Sequence, residues 1–87
     1  MAAFRKGATM ALERESGLPL WRQVHGILLK EINGGVYRPG ERLPSESSLS
    51  RRFRVARHTI RRALRSLQEA GVVRTERGRG SIIRDEV

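Results

Sequence analysis

Between Leu20 and Ile32, apolar residues recur three and four positions apart. Leu20, Val24, Ile27, Leu28 and Ile32 line one side, and Arg22, Gln23, Lys30 and Glu31 occupy the other. That is the period of an amphipathic helix, and it predicts a first helix over 19–33. Pro19 suits the first turn, where a missing N–H leaves no helical bond unmade. Gly34 and Gly35 end the helix because glycine accepts the left-handed conformation. Trp21 reads as a packing residue, and His25 as a helix-surface or boundary residue. Leu49 and Phe53, four apart, mark a short second helix over 46–53. Ser45 is its N-cap, and Glu46 meets the positive helix end. Position 48 is Ser, so a reciprocal capping box is absent. Arg54-Val55-Ala56 makes a tight connection. Ile60, Ala63, Leu64, Leu67 and Ala70 then form the apolar stripe of a third helix over 57–70, closed by Gly71.

Elsewhere the period changes. Pro39-Gly40 is a turn signal, since proline fixes φ and glycine takes a positive one. Pro44 pushes Leu43 into an extended conformation, so a short strand is expected near Arg42 and Leu43. Val72–Glu76 and Ser81–Arg84 are rich in strand-forming residues, and they flank Arg77-Gly78-Arg79-Gly80. Two such runs around a glycine-containing loop predict a hairpin. The order helix, short strand, helix, helix, strand, strand is an α+β arrangement. Specifically, it is a winged helix-turn-helix: three helices, a short strand and a C-terminal hairpin wing. The patterned unit covers 18–84. Residues 1–17 read as a flexible arm, with Arg5 and Lys6 as basic contacts in an alternative reading, and 85–87 as the start of a linker.

Length and charge narrow the partner. The chain has 87 residues, enough for one small domain. Four aromatics among 38% hydrophobic residues leave a core built mostly of Leu, Ile, Val and Ala. Lys plus Arg number 18 against 9 Asp plus Glu, a formal charge of +9. Such a surplus points to an anionic partner, nucleic acid first and an anionic membrane surface second. No run approaches the roughly 20 apolar residues of a membrane span, and the N-terminus lacks a signal-peptide core. No cysteine is present, so disulfides and thiolate metal sites are excluded. A cytoplasmic location is expected, with no cofactor and no metal. Two histidines far apart and the lack of a phosphate-loop motif leave an enzyme without support.

The charge concentrates where a helix-turn-helix uses it. From Arg51 to Arg65 there are seven arginines and no acidic residue. Arg57, Arg61 and Arg65 are spaced by four and share a face, with His58 and Arg62 beside them. The second helix of such a pair enters the major groove. Arginines near its N-terminus reach base edges, where a guanidinium pairs bidentately with guanine. Those further along meet phosphates, as do Ser and Thr hydroxyls near helix ends. Arg77 and Arg79 flank Gly78 at the hairpin tip and can enter a minor groove. The expected partner is double-stranded operator DNA of pseudo-palindromic sequence. A winged-helix module for RNA or for a protein is the alternative.

These residues resemble the GntR family of bacterial transcription regulators. The matching pieces are Pro19 to Val24, Gly35 with Tyr37 through Glu46, Leu49, Phe53, Val55, Arg57 through Leu64, Gly71, and the wing Arg77 through Gly80. The string Arg57-His58-Thr59-Ile60-Arg61-Arg62-Ala63 looks most like the HutC-type branch, especially phosphonate-utilisation repressors. The resemblance implies DNA contacts at Arg57, His58, Thr59 and Arg61, and at Arg77, Gly78 and Gly80. Together with the chemistry above, the candidate set is Ser45, Ser47, Arg57, His58, Thr59, Arg61, Arg62, Arg77, Gly78, Arg79 and Gly80. Two positions depart from the family. Ser47 stands where many relatives have arginine, and Ala56 where many have Ser or Thr as N-cap and phosphate ligand. The resemblance also implies a repressor that works as a homodimer, with a small-molecule effector bound by a C-terminal domain. The chain is therefore expected to be the DNA-binding part of a longer regulator.

Overall fold

Helices that each bury one stripe must share it with a neighbour. The computed structural model, which describes residues 12–85, shows how this chain does so. Its elements are α1 (Leu20–Asn33), α2 (Glu46–Phe53), α3 (Arg57–Glu69), β1 (Val73–Glu76) and β2 (Gly80–Ile83). Both α1 and α2 pack on α3, and β1 lies against the far end of α3. Val24 and Leu28 of α1, Leu49 and Phe53 of α2, and Ile60, Ala63 and Leu67 of α3 form the core. Tyr37, Leu43, Val73 and Ile83 close it.

Element ends follow local chemistry. Ser45 caps α2 as expected, its Oγ accepting from the Ser48 N–H at 3.1 Å. Pro19 is the N-cap residue of α1 rather than its first helical residue. Its backbone is extended, and its carbonyl accepts from Arg22 and Gln23. Ala70, expected in the buried stripe of α3, lies just past the helix and is exposed. Val73, on the strand that follows, takes up the packing there instead. Between α2 and α3 the chain reverses through Arg54, which holds the left-handed conformation at φ 57°.

β1 and β2 pair antiparallel, with Val73 opposite Ile83 and Glu76 opposite Gly80. The expected short strand is a single bridge of Arg42 to Ile82. Hydrogen bonds from Leu43 N–H to Ser81 and from Ile83 N–H to Glu41 attach it to the hairpin. The wing is thereby fastened to the segment that leads into α2.

Two regions differ from the sequence pattern. Glu31, expected on the solvent side of α1, is 1% exposed. Arg52 of α2 grips its carboxylate with both terminal nitrogens, Nη1 to Oε1 at 3.0 Å and Nη2 to Oε2. The α1 stripe is thus wider than its apolar residues, because a neutralising partner lets a carboxylate join it. Residues 12–17, expected to belong to a flexible arm, fold against the helices. Leu12 packs on the core, and Gln23 bonds the backbone of Glu13 and Leu18. Arg14 donates to the carbonyls of Phe53 and Arg54 at 3.3 and 2.7 Å, satisfying the end of α2. Arg5, Lys6 and the linker positions 86–87 lie outside the described residues. Among the described residues, no helix is long and apolar enough to cross a membrane.

Candidate nucleic-acid interface

At 100° per residue, a 13-residue helix that buries Ile60, Ala63 and Leu67 must turn its arginines away from the core. Relative to Arg57, the side chain of Arg61 is rotated by about 40°, Arg65 by about 80° and His58 by about 100°. All four are exposed. The Arg57 edge of this face borders an open groove of about 610 Å³ between α3, the start of α2 and the hairpin. Six of the expected residues line the groove: Ser45, Ser47, Arg57, Arg61, Arg79 and Gly80. The fold brings them together from three separate stretches of chain.

The other five stand outside the groove. His58 projects outward from α3, and Thr59 is half-buried on the opposite flank. Arg62 turns toward α1, where its guanidinium lies 4.6 Å from the centre of the Trp21 ring. Trp21 packs partly on the core and so carries a cation on its open face. Arg77 and Gly78 form the exposed hairpin tip. There the Arg79 N–H donates to the Glu76 carbonyl at 2.9 Å, and Gly78 has φ 79°, which few other residues accept.

Acidic side chains modulate this cationic surface. The run Arg51–Arg65 contains no acid in sequence, yet two of its arginines meet carboxylates from elsewhere. Arg52 is withdrawn into the Glu31 pair, with a side-chain exposure of 10%. Arg61 Nε donates to Glu46 Oε1 at 3.0 Å. On the wing, Glu76 binds both Arg74 and Arg79, at 2.8 and 2.9 Å. The like charges of the run are therefore partly relieved, by neighbours in space rather than in sequence.

Further residues that face the groove were not among the expected contacts. Arg65 follows from the spacing of four and could have been included on that ground. Arg42 enters through its bridge to the hairpin, which no local pattern announces. Thr75 donates to Gln68 Oε1 at 2.9 Å and ties the wing to α3. Ser47 lines the groove, and its hydroxyl suits a phosphate oxygen. Ala56, the N-cap of α3, makes no side-chain cap bond, and the Thr59 N–H donates instead to the Ala56 carbonyl at 3.0 Å.

Known proteins resemble this chain in sequence and fold. The profile of the bacterial regulatory proteins of the gntR family matches residues 20–83. An HTH-type transcriptional regulator of Rhizobium meliloti is 42% identical over 72 residues, which cover 83% of this chain and 30% of that protein. The histidine utilization repressor of Klebsiella aerogenes is 36% identical over 70 residues, 80% of this chain and 29% of its own length. Among solved structures, AraR(DBD) in complex with operator ORX1 matches with a TM-score of 0.81 at 30% identity. That match covers 86% of this chain and 95% of that one. The chain thus spans about 30% of the length of the curated relatives it matches.

Proposed function

The chain belongs to the gntR family of bacterial regulatory proteins, and from that premise we propose that it is the operator-binding domain of a transcriptional repressor. The observation that carries this reading is the groove in which Arg57 and Arg61 of α3, Ser45 and Ser47 at the start of α2, and Arg79 and Gly80 of the wing converge. A duplex seated there receives α3 in its major groove. In the N-terminal half of α3, Arg57, Arg61 and the outward-pointing His58 face base edges, while the Thr59 hydroxyl on the opposite flank suits a phosphate. Arg62, Arg65, Ser45 and Ser47 serve phosphates, which fix register without reading sequence. The wing lays Arg77, Gly78, Arg79 and Gly80 on the adjacent minor groove. The likeness to AraR(DBD) in complex with an operator supports the same mode of docking.

In the whole protein this domain works as one half of a homodimer on a pseudo-palindromic site in the cytoplasm. A small-molecule effector binds a separate C-terminal domain. The likeness to a histidine utilization repressor, together with the Arg57–Ala63 string, supports the HutC-type branch.

Selection of bound duplexes from a random pool, followed by titration at several salt concentrations, tests the reading. Sequence-selective binding whose affinity falls steeply with salt is expected, because several phosphates are neutralised. Equal affinity for structured RNA of the same length, or affinity indifferent to salt, refutes it.

A further inference from the structure

Arg57, Arg61 and Arg65 share a face, yet their surroundings differ. Arg61 Nε is held by Glu46 Oε1 at 3.0 Å. Among the described residues, no ion pair holds Arg57 or Arg65. Glu46 belongs to the first turn of α2, on a different helix from Arg61, and both line the groove. A carboxylate in a groove meant for a polyanion is an electrostatic cost unless it serves the cation beside it.

The geometry of the pair indicates that service. A guanidinium carries five N–H groups, and its bond to Glu46 uses the Nε–H. The Nη1 and Nη2 fork at the tip is the part that pairs with O6 and N7 of guanine. A carboxylate behind the fork also disfavours a phosphate sharing the same guanidinium, because two anions repel.

Resting on the operator-binding reading above, we propose that Glu46 is a positioning residue for base recognition. It holds Arg61 with its fork open to the groove, so Arg61 reads a guanine while Arg65 meets the backbone. The pair is exposed in the free domain, 57% and 36% by side chain, so it adds little to folding. When a duplex covers the groove, water leaves and the attraction strengthens. The effect therefore falls on specificity and not on stability.

The test compares wild type, Glu46→Gln, Glu46→Ala and Arg61→Lys by selection from a random duplex pool. Salt titrations of the selected sites follow, with thermal unfolding as a check that each variant folds. Wild type selects guanine at one position of each half-site. Glu46→Gln keeps an acceptor for the Nε–H but loses the charge, and retains part of that preference. Glu46→Ala and Arg61→Lys lose about 5- to 150-fold of it, the loss of one bidentate contact. In Glu46→Ala the salt dependence stays the same or steepens, since phosphate contacts are untouched. Full guanine preference in Glu46→Ala overturns the positioning role, as does an equal loss in Glu46→Gln. A wild type that selects no sequence fails the operator-binding reading itself and takes the positioning role with it.

Discussion

Replacing Arg52 with Met removes the cation that neutralises Glu31 while keeping most of the stem beside the Phe53 ring, over which the guanidinium now sits at 4.6 Å. Glu31 is 1% exposed, so its carboxylate is left buried without that charge. Breaking such a pair from one side costs about 3–5 kcal/mol. The 74 residues from 12 to 85 support a total stability on the order of 4–11 kcal/mol. One substitution therefore consumes a large share of it and lowers the melting temperature by roughly 12–40 °C. The double variant Glu31→Leu with Arg52→Met removes both charges together. It should return to within about 1–2 kcal/mol of wild type or exceed it, because an apolar pair avoids the desolvation cost. Urea and thermal unfolding followed by circular dichroism measure both. A single-variant loss below about 1 kcal/mol, or a double variant no better than the single, refutes the buried-pair account.

Other expectations can be checked on the same domain. Burial first, then the charge of Glu31, raises the Tyr37 pKa above its ordinary value of 10.0, against the opposing influence of Arg52. The unfolded chain then releases the phenolic proton at lower pH than the folded domain. Tyr37 thus contributes full stability below pH 10 and loses it as pH rises through the higher folded value. Melting curves above pH 10 should show a decline that Tyr37→Phe reduces. Arg54→Gly relieves a left-handed backbone at φ 57° and should raise stability by about 0.5–1 kcal/mol in thermal unfolding; no gain means the turn is unstrained. Arg65→Ala or Arg42→Ala should weaken all duplexes alike and reduce the salt slope by about 1 each. A loss confined to one base position assigns that residue to base reading instead.

Much of the fold is legible in local pattern. The α3 stripe of Ile60, Ala63, Leu64 and Leu67 repeats at helical spacing whatever surrounds it. The cap at Ser45 and the turn around Gly78 depend on neighbours a few residues away. Such signals are read from a short window because the physics behind them acts within one. The helix face carrying Arg57, Arg61 and Arg65 follows in the same way, since its spacing needs nothing beyond α3. Arm, core acid and groove partners were not legible. Residues 12–17 carry no period, and they are placed by Arg14 reaching carbonyls 39 and 40 positions away. Glu31 looks like any solvent-facing glutamate until Arg52 comes within reach.

By itself, the sequence determined the element order, the α+β class, the cationic helix face and the glycine-bearing hairpin. Periodicity, capping and turn chemistry are local, and net charge is a sum that folding does not alter. Tertiary structure alone decided which arginines face the groove. It withdrew Arg52 into a buried pair, stacked Arg62 on Trp21, set Glu46 against Arg61 and brought Arg42 beside the wing. Those outcomes hinge on distances between segments far apart in the chain, and Coulomb and stacking energies depend on such distances rather than on order along the sequence.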